Sequence, residues 1–127
     1  MFSQTEEIGM GEEPLRVAVA SKDGLSVNQH FGHAKMFWIF LITPRRCEFI
    51  EQRHVDNYCH GQTGDSSAMQ KILQTINDCE AVFVAKIGDG PIEKLKNIGV
   101  LSVEDYAYLG IRDSLLAYAA ERAQVIG

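Results

Sequence analysis

The run Ala81-Val82-Phe83-Val84-Ala85 is continuously apolar and β-favouring, and Lys86-Ile87-Gly88-Asp89-Gly90-Pro91 closes it. A strand with no polar face is one covered on both sides, which is the habit of parallel sheets flanked by helices. Pro91 carries the fixed φ of a first helical turn, so a helix is expected from there to about residue 97. This strand, glycine loop and helix unit commits the chain to an α/β sheet.

The rest of the chain fits round that unit. Arg16-Val17-Ala18-Val19-Ala20-Ser21 is a second short apolar run, ended by the breaker Lys22-Asp23-Gly24. Phe37-Trp38-Ile39-Phe40-Leu41-Ile42-Thr43 and Glu48-Phe49-Ile50-Glu51-Gln52-Arg53 flank Pro44-Arg45-Arg46-Cys47, as the strands of a hairpin would. Residues 66–78 place Ala68, Ile72, Leu73 and Ile76 on one helical face, with Asp65 as N-cap. Gly99 reads as the stop of the helix begun at Pro91 and Val100-Leu101-Ser102-Val103 as a short strand. Ile111, Leu115, Tyr118 and Ala119 form the buried face of a closing helix. The order is βββαβαβα: three hairpin-joined strands, then βαβ units, giving a mixed sheet flanked by helices.

Length and charge narrow the function. The 127 residues, 46% of them hydrophobic, suit one domain with a proper core. Four of the five net negative charges come from Glu6, Glu7, Glu12 and Glu13, so residues 1–15 read as an acidic, mobile leader to a nearly neutral domain at 16–127. No basic patch mixed with aromatics points to nucleic acid, and no apolar run reaches the roughly 18 residues of a membrane span. The start lacks the basic and apolar segments of a signal peptide, and Cys47, Cys59 and Cys79 are odd in number with no C-x-x-C pair. A reduced, cytoplasmic protein is expected, with Cys47 and Cys79 structural.

Chemistry concentrates in the loops. Val27-Asn28-Gln29-His30-Phe31-Gly32-His33-Ala34 puts two of the four histidines, an amide and a glycine into one turn-like segment. Imidazole is the side chain most used to hold a transition metal, so His30 and His33 are candidate ligands; the competing reading is two structural hydrogen-bonding groups. Tyr58-Cys59-His60-Gly61-Gln62-Thr63-Gly64 adds a thiol that is either a ligand thiolate or inert. Lys86, Gly88 and Gly90 stand at a helix N-terminus, which either cradles an anion or is merely a tight turn. Ligands of open α/β sheets lie beyond the carboxyl ends of the strands, so the loops at residues 28–33 and 86–90 are expected to border one cleft.

Taken together, Val17-Ala18-Val19-Ala20-Ser21, the His30-Phe31-Gly32-His33-Ala34 segment, Tyr58-Cys59-His60-Gly61 and Val84-Ala85-Lys86-Ile87-Gly88-Asp89-Gly90-Pro91 resemble the nitrogenase iron–molybdenum cofactor biosynthesis domain. That domain occurs in NifX, in NafY and at the C-terminus of NifB, and the His-Phe-Gly-His-Ala form and the cysteine loop look closer to the NifB version than to NifX. The likeness covers residues 16 to about 122. It implies a ribonuclease-H-like fold that binds or carries an iron–sulfur or iron–molybdenum cofactor precursor between donor and acceptor proteins. On that resemblance His30 is the first cluster ligand, His33 the second and Cys59 a stronger thiolate ligand, with Asn28 and Lys86 donating hydrogen bonds or charge to the cofactor.

An enzyme is not expected. Two-metal phosphoryl chemistry needs converging carboxylates, and Arg16–Ser21 holds none; the three cysteines are also too far apart for a radical-SAM cluster motif. The alternatives to a carrier are a phosphate- or nucleotide-binding regulatory domain using the Gly88–Gly90 loop, and a mononuclear metal site built from His30, His33 and Cys59.

Overall fold

The computed structural model describes residues 13–55 and 65–126. Its elements run β1 (Leu15–Ala20), β2 (Met36–Thr43), β3 (Arg46–His54), α1 (Asp65–Ile76), β4 (Ala81–Phe83), α2 (Asp89–Asn97), β5 (Leu101–Val103) and α3 (Ile111–Ile126), with a 3-10 turn at Phe31–His33. The strands make one mixed sheet in the order β3-β2-β1-β4-β5. β1 pairs antiparallel with β2, and β2 with β3, while β4 lies parallel to β1 and β5 parallel to β4.

Side-chain alternation sorts each strand between two cores. Ala18 and Ala20 of β1, Phe37 and Ile39 of β2, and Val82 of β4 face Ile72, Leu73 and Ile76 of α1 and Leu95 of α2. Val17 and Val19, Phe40 and Ile42, and Ala81 and Phe83 face Ile111, Leu115, Tyr118 and Ala119 of α3. Two helices therefore cover one side and one covers the other, so the central strands are apolar throughout. At about 25 cal/mol per Å² of apolar surface, such residues as the fully buried Phe37, Phe83 and Leu115 each contribute roughly 1.5–3 kcal/mol.

The boundaries differ from the expected ones for identifiable reasons. β3 starts at Arg46 and not at Glu48, because Thr43 Oγ1 accepts the amides of Arg45 (3.2 Å) and Arg46 (3.0 Å) and so tightens the turn. β4 stops at Phe83 and not at Ala85: beyond it, the Ala85 N–H leaves the sheet and donates to the carbonyl of Gln29 at 2.9 Å. α1 begins at Asp65 itself and ends at Ile76, short of Asp78, whose carboxylate instead takes two hydrogen bonds from Arg53 of β3 at 2.7 and 3.1 Å. α2 ends as expected, with Gly99 at φ +79 and its N–H donating to the Lys96 carbonyl.

Trp38 sits half-buried against Phe49, with ring centroids 5.9 Å apart, and His54 is exposed at the end of β3. Cys79 is buried and Cys47 half-buried, both as free thiols. Among the described residues no helix is long and apolar enough to cross a membrane.

Candidate functional site

The carboxyl ends of β1, β4 and β5 open into three loops that are laced together. Beyond β1 the chain turns at once. Ser21 Oγ accepts the Gly24 N–H at 2.8 Å, and Asp23 Oδ1 accepts the amides of Leu25 (2.9 Å) and Ser26 (3.4 Å). Those donors, the Leu25 amide foremost, hold the Asp23 carboxyl below the usual range. Gly24 has φ +78 and lies flat under the Trp38 indole, whose Nε1–H donates to the Ser21 carbonyl at 3.2 Å.

Asn28 belongs to this turn. Its Oδ1 accepts the Lys22 amide at 2.8 Å, and its Nδ2 donates to Asp23 Oδ1 and Ser26 Oγ, both at 3.3 Å. The carboxamide expected to donate to a ligand thus has its donor and acceptor atoms engaged in shaping the loop. Residues 25–27 then pair with the loop after β5. Val27 N–H donates to the Leu109 carbonyl at 3.0 Å, Tyr108 N–H to the Val27 carbonyl at 2.8 Å, and Ile111 N–H to the Leu25 carbonyl at 2.9 Å.

The histidine segment follows. His30 forms a parallel bridge with Lys86, and Phe31 N–H donates to the Lys86 carbonyl at 2.9 Å. The fully buried Phe31 ring packs 6.3 Å from Phe37 and anchors the 3-10 turn in the core. Residues i and i+3 of a 3-10 turn eclipse one another, and the His33 N–H closes back on the His30 carbonyl at 3.1 Å. The two imidazoles accordingly stack, with centroids 5.5 Å apart and planes 13° from parallel. His30 is half-buried and His33 exposed, so the pair stands at the surface on a backbone held from below. A Cβ placed on Gly32, between them in sequence, would meet nothing within 4 Å, so the turn does not require glycine for space.

The glycine loop lies on the other side of His30. Lys86, Gly88 and Gly90 are exposed, Gly88 is the N-cap of α2, and its carbonyl accepts the Ile92 N–H at 3.1 Å. A Cβ at Gly90 would meet nothing within 4 Å and one at Gly88 only Pro91 Cδ at 3.7 Å. Two acids bear on this loop. Asp89 lies in the first turn of α2, and Glu104 Oε2 accepts the Ile87 N–H at 2.9 Å. Glu104 is the residue sequence reasoning missed; the one available signal was an acid placed directly after a short strand.

The structure thus brings His30, His33 and Lys86 to one end of the sheet and puts Gly88 and Gly90 beside them. Cys59, with the rest of its loop, lies outside the described residues, as does the acidic leader up to residue 12. Among the described residues no group of three or more His, Cys, Asp or Glu side chains is placed to hold a single metal ion.

The comparison with known proteins bears on what such a site holds. A family model described as dinitrogenase iron-molybdenum cofactor matches residues 13–121, which include every loop just described. The chain belongs to this family. The FeMo cofactor biosynthesis protein NifB of Herbaspirillum seropedicae is 42% identical over 104 residues, covering 82% of this chain and 20% of that protein. NifB of Bradyrhizobium diazoefficiens is 39% identical over 102 residues, covering 80% of the chain and 20% of the relative. The chain therefore spans about a fifth of the length of these family relatives. Its fold is shared with the protein PH0822 (TM-score 0.63, 24% identity, 84% of this chain and 92% of that one). It is shared too with the apo orange protein of Desulfovibrio gigas (TM-score 0.61, 18% identity, 87% and 92%). The family is thus named for the iron–molybdenum cofactor, and these relatives for its biosynthesis.

Proposed function

We propose that this domain binds an iron–sulfur or iron–molybdenum cofactor precursor as cargo and hands it on without chemical change. The observation that carries the reading is the stacked His30–His33 pair, raised on a turn that Phe31 fixes in the core and that Lys86 fixes to the glycine loop. Imidazole suits an iron atom with an exchangeable coordination position, and one or two such ligands at an open surface let the cargo leave again. A Cβ at Gly32 or Gly90 would meet nothing within 4 Å, so the backbone at both positions leaves room for a bulky cargo to approach. On this reading Cys59 is a further thiolate ligand and Lys86 offers charge to the cluster's anionic periphery.

The rest of the account follows from that role. The strand order, with three antiparallel strands followed by two parallel ones, is read as ribonuclease-H-like. Donor and acceptor are other proteins of cofactor assembly, and transfer takes place in the reducing cytoplasm. β1 carries no acid, so the chain has no carboxylate there for nuclease chemistry.

The anion-binding alternative is disfavoured by the glycine loop itself. Its Ile87 amide already serves the Glu104 carboxylate, and Asp89 adds a second negative charge in the first turn where a phosphate would sit. Anaerobic titration of the apo-protein with an isolated iron–sulfur cofactor precursor, followed by visible absorption and iron-to-sulfide ratio, tests the proposal. Saturable uptake weakened in His30→Ala supports it. No uptake by the wild type, together with phosphate or nucleotide binding lost in Lys86→Ala, would replace it with the anion reading.

A further inference from the structure

We propose that Glu104 is a positioning residue of the histidine site, one that governs how well His30 is presented while touching no cargo; the functional part of this inference rests on the carrier reading. Glu104 follows Val103, the buried last residue of β5, so its main chain is set by the sheet. Its carbonyl accepts the Ala107 N–H at 3.2 Å, which starts the loop whose far end is bonded to Leu25 and Val27. From that fixed base the carboxylate reaches across to the Ile87 N–H at 2.9 Å.

Ile87 is one residue from Lys86, whose carbonyl takes the Phe31 N–H and whose backbone is in register with His30. A hydrogen bond to a charged acceptor is the stronger kind, and it falls at a place where the backbone has left the β4 ladder. The buried Ile87 side chain sets the depth of the loop, while the Glu104 bond sets the orientation of its peptide plane. Both ends of the lacing thus converge on Glu104: one through its backbone to the loop beside Leu25, the other through its side chain to the loop beside His30.

Removing the carboxylate leaves the Ile87 amide to water and loosens the register on which His30 depends. The effect on uptake of clusters assembled from ferrous iron and sulfide is expected to be about three- to tenfold for Glu104→Ala, the range set by a single net hydrogen bond. Glu104→Gln retains an acceptor oxygen and is expected to restore most of it.

Amide and imidazole NMR spectra of the apo-protein test this without any cluster. Glu104→Ala should displace the Ile87 and Phe31 amide signals and the His30 ring signals from their wild-type positions while leaving those of Phe49 on β3 in place, and Glu104→Gln should keep them near the wild-type positions. The inference is overturned if Phe31 and His30 stay put in Glu104→Ala, or if Glu104→Gln disturbs them as much as alanine does. A wild type that takes up no cluster would overturn the carrier reading, and the spectra would still decide whether Glu104 positions His30.

Discussion

His30 and Lys86 stand in bridge register across two loops, and the amide next to His30, that of Phe31, donates to the Lys86 carbonyl at 2.9 Å. The histidine is thereby held by backbone bonds on one side and by the buried Phe31 ring on the other, leaving its imidazole beside that of His33. A ligand carried on irregular backbone needs such support to be presented in one orientation.

Gly32 separates a structural from a functional demand. Its φ is not in the left-handed region and a Cβ would meet no atom within 4 Å, so Gly32→Ala should change unfolding free energy by no more than about 0.5 kcal/mol. The added methyl would stand in open space on the histidine turn, where it should hinder the approach of a bulky cluster and weaken its uptake. Thermal unfolding and the anaerobic titration, run on the same sample, give the two numbers.

Gly24 is the opposite case. Its φ is +78 and a Cβ would lie 2.5 Å from the nearest Trp38 ring atom, so Gly24→Ala combines backbone strain with overpacking. A loss of about 2–4 kcal/mol is expected, from roughly 1–2 for the left-handed backbone and the rest for the clash. Denaturant unfolding followed by Trp38 fluorescence measures it and reports whether the indole has left the Ser21 carbonyl.

The link between β3 and the end of α1 should show in the pH dependence of stability. Hydrogen bonding from Arg53, and behind it the charge of that guanidinium, hold the Asp78 carboxyl below its ordinary value of 3.8. A carboxyl lowered in the folded state stabilises above its unfolded value and loses that contribution as pH falls through its folded one. The wild type should exceed Asp78→Asn by about 1 kcal/mol or less at neutral pH, since the pair is partly exposed. That margin should shrink below pH 3.8. Urea unfolding at pH 7 and in the acid range checks both points.

Cys79 should be chemically silent in the folded state. Burial first, and then the charge of Asp78, push its thiol up to about 12. The unfolded thiol ionises near 9, so the folded state retains the proton longer and stability should decline as pH rises through that interval. Iodoacetamide at mildly alkaline pH is expected to leave Cys79 unmodified in the native protein and to alkylate it in denaturant, read by peptide mass spectrometry.

Most of the architecture was legible in the sequence, because the apolar patterns of β1, β2 and β4 and the stops at Gly24 and Gly99 have simple local causes. Element ends were less so: β4 is cut short by Gln29, some fifty residues away, and α1 by Arg53, which no local pattern announces. At the site, the pairing of His30 with His33 follows from their spacing once a 3-10 turn forms. The role of Asn28 does not, since a carboxamide reads alike whether it faces a ligand or its own turn. Glu104 was hidden for a similar reason: its partner is a backbone amide, and amides leave no trace in a sequence.

The central claim is that a His30 nitrogen bonds iron in the cargo. Protein labelled with ¹⁵N-histidine, loaded anaerobically with an iron–sulfur cofactor precursor and poised in a paramagnetic state, would be measured by pulsed EPR. The account predicts a ¹⁵N hyperfine coupling of a directly bound imidazole, present in wild type and lost in His30→Ala. The same coupling undiminished in His30→Ala, or none in a loaded wild type, would contradict it.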